Sequence, residues 1–188
     1  MTLRLRTILK ILGACLLPPS ILYRLWHADY RRKPRTDIDT ASDLRVTTPQ
    51  EDVRLEVYWS DVPNVGRGPS ASLFVLEEEV VRLDCFGGNE GHMHINPEQV
   101  RVILRRYTPR LYFPEGSRKD HIERATFELA TNTVSALKLN MLARVRKFPI
   151  DMGKLAAAAG QMADDMNDLL VSHEVRPVPP PPQGVREA

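Results

Sequence analysis

The spacing of apolar residues along this chain changes from a strand period to a helix period near residue 114. Before that point, short stretches rich in β-branched residues alternate apolar and polar side chains, which is the period of a half-buried strand. After it, two long stretches carry apolar residues three and four positions apart, which is the period of a helix. Strands that precede the helices, instead of alternating with them, are typical of an α+β fold. We therefore predict a mostly antiparallel sheet of four to six strands, followed by two helices packed on it.

The connections between strands are predicted from glycine, proline and charge. Residues 60–70 contain two prolines and two glycines, which predicts a loop. Glu78 and Glu79 predict an exposed acidic connection within a hairpin. The predicted strands are residues 53–59, 71–77, 80–86, 92–95, 100–105 and 111–113.

Two helices are predicted in the second half of the chain. Residues 120–142 begin with Asp120 as N-cap and Glu123 three positions later, which is a capping-box arrangement. Residues 152–172 form the second helix, and a narrow heptad-like stripe runs along it. This stripe either docks on the domain itself or pairs with a second copy in a homodimer, and the sequence leaves both open. Its members are Leu155, Ala159, Met162, Met166, Leu169 and His173.

Composition indicates one globular domain with an extension at each end. The chain has 188 residues, of which 43% are hydrophobic and 27% charged, close to the averages of globular proteins. We predict a basic and apolar extension with a linker at residues 1–43, the α+β domain at residues 44–172, and a proline-rich tail at residues 173–188. The net charge of +2 gives no argument for a nucleic-acid partner by itself.

The N-terminal extension is relevant to where the protein is located in the cell. Its uncharged apolar run, residues 11–23, covers 13 residues and contains Pro18 and Pro19, whereas a spanning helix needs roughly 20. The chain's two cysteines, Cys15 and Cys85, indicate neither a disulfide framework nor a zinc cluster, so a reducing compartment is expected. We predict a cytoplasmic protein. Contact of residues 1–30 with a membrane surface, as a basic amphipathic helix, is the alternative.

A basic cluster with aromatic neighbours follows the predicted histidine strand. Cations interleaved with aromatic rings suit single-stranded nucleic acid, while a solvated strand face accounts for the same residues without a ligand. The cluster consists of Arg101, Arg105, Arg106 and Arg110, with Tyr107 and Tyr112.

The densest group of chemically capable residues lies between Val80 and Ile95. Alternate residues share one face of a strand, so His92 and His94 project the same way, as would Val80, Arg82 and Asp84 on the preceding strand. If the glycine-rich residues 87–91 fold back as a hairpin, Asp84 comes close to one histidine. Two histidines and one carboxylate are a ligand set for zinc, manganese or iron, or alternatively an acid–base group. The purely structural alternative is a hydrogen-bonded pair that orients the loop, and Cys85 on the other face is expected to be a core residue.

A second metal pattern overlaps the first. The spacing of His92, His94 and Glu98 resembles the first motif of the cupins, and Pro114-Glu115-Gly116 with His121 resembles a distorted second motif. That resemblance implies a metal held by His92, His94, Glu98 and His121.

The segments Arg82-Leu83-Asp84 and Gly91-His92-Met93-His94, followed by a long helix, resemble small α+β proteins of the TumE-like family. The resemblance covers about residues 53–142. TumE-like proteins are proposed toxins that are paired with a helix-turn-helix antitoxin. The resemblance therefore implies a growth-inhibiting, RNA-directed activity, an antitoxin-like protein partner, and Asp84, His92 and His94 as the functional residues.

Two classes of function follow. In the first, the protein is a hydrolytic enzyme whose site is Asp84, His92 and His94. In the second, it is a non-enzymatic interaction module in which these histidines only support a loop. The sequence leaves the choice open.

Overall fold

The computed structural model describes residues 41–99 and 109–175, together with the separate positions 18 and 21. Within them, six antiparallel strands form one sheet in sequential order, and helices follow, which confirms the α+β fold. The strands are β1 (Ala41–Gln50), β2 (Val53–Val62), β3 (Gly66–Val75), β4 (Glu78–Asp84), β5 (His92–Ile95) and β6 (Leu111–Tyr112). The helices are α1 (Arg118–Lys138), α2 (Ala143–Arg146) and α3 (Met152–Val175).

The first hairpins differ from the sequence prediction. β1 begins at residue 41, where a linker was expected, and pairs with β2. Residues 60–70 are not a loop, because β2 continues to Val62 and β3 begins at Gly66, directly opposite it. Glycine permits close packing here, since a β-carbon on Gly66 would lie 2.5 Å from the ring of Phe86.

The prediction of an exposed Glu78-Glu79 connection is wrong. The turn is formed by Leu76 and Glu77, whose φ angles of 51° and 65° suit a tight hairpin, and both following glutamates are buried strand residues. Glu78 pairs with Arg144 at 3.0 Å.

A β-bulge in β4 changes which side chains share a face. The register shifts so that Leu73 opposes Val81 and Phe74 opposes Glu79, which leaves Val80 as the extra residue. Glu79 therefore takes the place on the face of Arg82 that simple alternation assigned to Val80.

Helix α1 starts earlier than predicted. Ser117, not Asp120, is its N-cap, and Asp120 is the third helical residue. The hydroxyl of Ser117 accepts from the Asp120 N–H, while the Asp120 carboxylate accepts from the Ser117 N–H at 2.7 Å. This is a capping box displaced by three residues from the predicted one.

The stripe on α3 packs against its own domain. Its five apolar side chains are each 2% exposed or less, and His173 stacks on Trp59 with the ring centroids 4.1 Å apart. Docking within the chain is therefore observed. A homodimer through residues 152–172 stays a prediction, and it would have to use the outer face of this helix.

The two faces of the sheet have opposite chemistry. One carries the apolar residues of β2 to β5, and helices α1 and α3 cover it to form the core. The other carries buried polar side chains: Tyr58, Ser70, Ser72, Glu79, Asp84, His92 and His94. Among the helices of the described ranges, none combines the length and apolar character needed to cross a membrane. The membrane-surface prediction for residues 1–30 lies outside these ranges.

Candidate metal centre

Strand pairing brings Asp84, His92 and His94 together. In the β4–β5 ladder Asp84 lies opposite His92, and Arg82 lies opposite His94. The Oδ2 atom of Asp84 is 3.3 Å from Nε2 of His92 and 3.6 Å from Nε2 of His94. The hairpin expected from the glycine-rich segment is confirmed, and both histidines reach the carboxylate.

The loop before β5 is held at several points. Gly87 and Gly88 have φ angles of 78° and 60°, which glycine adopts without strain. The Gly88 N–H donates to the carbonyl of Gly116 at 2.7 Å, and the carbonyl of Gly91 accepts from the Phe113 N–H at 2.8 Å. These bonds tie the loop to the segment before α1 and fix where β5 begins.

The Nδ1 atom of each histidine is hydrogen-bonded to a backbone carbonyl. Nδ1 of His92 lies 2.6 Å from the carbonyl oxygen of Glu90, and Nδ1 of His94 lies 3.0 Å from that of Pro109. A carbonyl oxygen only accepts, so each Nδ1 carries the hydrogen and, in a neutral ring, each Nε2 presents a lone pair toward Asp84.

The carboxylate of Asp84 is oriented in a matching way. Its Oδ1 accepts a hydrogen bond from the hydroxyl of Ser70 at 2.8 Å, which turns Oδ2 toward the imidazoles. Burial is the main cause that lowers the pKa of His94 to about 4, with His92 and Arg82 adding to the effect and Asp84 opposing it. His94 is therefore neutral at neutral pH, and its Nε2 lone pair is available.

The three side chains fit a divalent metal ion. Their ligand atoms all lie within 4.8 Å of one another, and all three residues are buried. Bonds of about 2.1 Å to a tetrahedral ion place neighbouring ligand atoms about 3.4 Å apart, close to both Asp84–histidine distances. Ligating histidines usually donate their second ring N–H to a carbonyl or carboxylate, as both do here.

A polar network that the sequence prediction did not contain continues from this site. Arg82 donates from Nε and Nη2 to Glu79 at 2.9 and 2.8 Å, and Ser72 donates to the same carboxylate at 2.8 Å. The Ser72 hydroxyl also lies 3.1 Å from that of Tyr58. The sequence prediction places Glu79 in an exposed connection because it is acidic, and the bulge that brings it here has no clear signal in the residues.

The residues specific to the cupin-like pattern do not join the group. His121, in α1, accepts from the Gly87 N–H at Nδ1 and donates from Nε2 to the carbonyl of Pro114. Glu98 lies in the helical residues that follow Asn96. Among the described residues, only Asp84 completes a group of three potential ligands with His92 and His94.

The remaining candidates have structural roles or lie elsewhere. Cys85 is fully buried beside Met166, and burial raises the pKa of its thiol, so it is the core residue that was expected. Of the basic cluster, Arg110 and Tyr112 lie in the described ranges and contact each other at 3.4 Å. The predicted strand at residues 100–105 and the rest of the cluster lie outside them.

Comparisons with protein-family models, curated proteins and solved structures give no match to this chain.

Proposed function

We propose that this protein binds one divalent transition-metal ion through Asp84, His92 and His94. The observation that supports this most directly is the arrangement of the ring nitrogens. The Nδ1 hydrogen of each histidine is donated to a backbone carbonyl. When the rings are neutral, the Nε2 lone pairs and an oxygen of Asp84 therefore face one another with no hydrogen between them. A cation removes the repulsion among these three electron-rich atoms.

The ligand set indicates the class of metal. Two imidazoles and one carboxylate suit zinc, manganese and iron, whereas sites for magnesium and calcium are built from oxygen ligands. Zinc, manganese or iron is therefore the proposed cofactor, and metal analysis has to decide among them.

Asp84, His92 and His94 would hold the ion as three protein ligands, which would leave a coordination position for another ligand. If an ion is held there, it would supply the Lewis acidity that activates water for hydrolysis near neutral pH. We propose hydrolysis as the reaction class. RNA as substrate, and an antitoxin-like partner, rest on the TumE-like resemblance alone and stay predictions, as does a cytoplasmic location.

Metal analysis of the purified full chain tests the proposal. The wild type should carry close to one equivalent of zinc, manganese or iron after loading and desalting. The His92→Gln, His94→Gln double variant should carry none. His173→Gln is the matched control, because this histidine lies on α3 and pairs with Asp43 instead.

A folded wild type that takes up no more metal than the double variant would refute the proposal. It would leave metal-free acid–base chemistry or the interaction module as the function of this domain.

A further inference from the structure

Arg82 lies beside the proposed metal centre on the same face of the sheet. It precedes Asp84 by two residues on β4 and is the cross-strand partner of His94 on β5. Directly paired residues of adjacent strands have side chains about 5 Å apart at their base. Its side chain therefore begins next to that of His94, on the face of the sheet where the metal would bind.

The guanidinium group is held in one orientation. Glu79, whose side chain is 1% exposed, accepts from its Nε and Nη2 atoms in a bidentate arrangement. The hydroxyl of Ser72 donates to Glu79 and so accepts from the hydroxyl of Tyr58. Burial raises the pKa of Tyr58 to about 12, so this hydroxyl keeps its hydrogen. The chain of bonds fixes Arg82 before any ligand arrives.

One edge of the guanidinium group is left open. Within residues 41–99 and 109–175, Nη1 of Arg82 has no hydrogen-bond partner, and 27% of the side chain is exposed. The Nη1 and Nη2 hydrogens together form the planar fork that recognises phosphate and carboxylate groups.

The charges of the site make anion binding depend on the metal. Among the described side chains of the group, Asp84 and Glu79 carry one more negative charge than Arg82 neutralises when both imidazoles are neutral. A divalent ion reverses this to one net positive charge. For these side chains, binding of the metal ion therefore changes the net charge from one that disfavours an anion to one that favours it.

We propose that Arg82 and the metal ion together form a binding site for an oxyanion group, the phosphate or carboxylate of a ligand. This inference rests on the proposed metal centre. It assigns to Arg82 the contact with that group, and to Glu79 the role of positioning Arg82.

Calorimetric titration of the metal-loaded full chain with inorganic phosphate, and separately with acetate, tests this inference. Binding of at least one of them should be lost when the metal is removed with a chelator. It should weaken by about tenfold or more in Arg82→Gln, since a charge-assisted hydrogen bond is lost. The amount of bound metal should not change.

Two further variants guard against misfolding and nonspecific charge effects. The Glu79→Gln, Arg82→Gln double variant removes both buried charges together and preserves hydrogen bonding between them. It should lose anion binding to the same degree. Arg54→Gln is the control, because Arg54 is likewise held by carboxylates, those of Glu56 and Glu77, but lies on β2.

The outcomes separate the two proposals. If metal binds and the anions do not, or bind equally well without Arg82, the oxyanion site is refuted and the metal centre stands. If no metal binds to the wild type, both are refuted. Phosphate binding without acetate binding supports a phosphate ester as the ligand, and the reverse supports a carboxylate.

Discussion

Gly91 packs directly against the ring of His121. A β-carbon at position 91 would lie 1.9 Å from Nδ1 of that histidine, far inside van der Waals contact. The two residues join the start of β5 to the first turns of α1, so the position of the histidine strand depends on the absence of a side chain at residue 91.

The Gly91→Ala substitution should therefore destabilise the protein. Overpacking of a filled site typically costs about 1–3 kcal/mol, and a shift of β5 should also weaken metal binding. Urea unfolding and metal titration measure the two effects. Gly160→Ala is the matched control, because Gly160 lies exposed in α3 with free space around its added methyl group. It should stabilise the helix by about 0.5–1 kcal/mol. A Gly91→Ala protein as stable as the wild type would contradict the packing.

Metal should raise the stability of the folded chain. An ion that binds only the native state at a hundred times its dissociation constant contributes about 2.7 kcal/mol. Thermal melting with and without zinc or manganese should show a higher Tm in metal, reversed by a chelator. Asp84→Asn, which keeps the hydrogen-bonding shape and loses the charge, should show almost no such shift. An equal rise in both proteins would indicate metal binding elsewhere.

The metal-free protein should lose stability between pH 6.5 and pH 4. The pKa of His94 is lowered to about 4 in the folded state, mainly by burial, against a usual value of 6.5. Below pH 6.5 the unfolded chain takes up this proton and the folded chain does not, so unfolding becomes easier as pH falls. The contribution is about 3 kcal/mol across the window. Urea unfolding in chelator at pH 7 and pH 4 measures it.

His94→Gln removes this titration. Its stability should change less between the two pH values than that of the wild type. If the free energy of unfolding falls equally in both proteins between these pH values, other groups cause the loss.

A charged substitution within the α3 stripe should unfold the domain, and not only dissociate a homodimer. Met162 is 1% exposed in the core, so Met162→Asp buries a charge and should abolish cooperative unfolding. Val171, 62% exposed on the same helix, should accept Asp with a change of about 0.5 kcal/mol or less. Circular dichroism and sedimentation velocity distinguish the cases. A folded Met162→Asp monomer from a dimeric wild type would show that the stripe is an interface.

Local patterns were sufficient to predict most of the core strands, both long helices and the proximity of Asp84 to a histidine. The alternation in residues 53–57 reflects burial on one face, and the period of α3 reflects the surface that it covers. Such features depend on which side chains are buried, so they leave a period in the sequence.

The failed predictions depend on contacts between distant residues or on backbone geometry. In β1 the large apolar residues Leu44 and Val46 are more than half exposed. The sequence of this edge strand therefore does not show the alternation that burial of one face produces. The extension of β3 through Gly66 depends on the ring of Phe86, which is distant in sequence. The convergence of both histidines required the exact register of β4 and β5, which alternation does not specify.

The bulge at Val80 has a consequence for how related chains would be found. On a regular strand, side chains three positions apart point in opposite directions, yet Glu79 and Arg82 are three apart and bonded to each other. A search that assumes even spacing would discard the glutamate. A one-residue deletion at position 80 would make the strand regular and place Glu79 two positions before the arginine, which keeps both side chains on the same face. Homologues with the same arginine arrangement could therefore carry the glutamate either three positions before the arginine, with a bulge between them, or two positions before it on a regular strand.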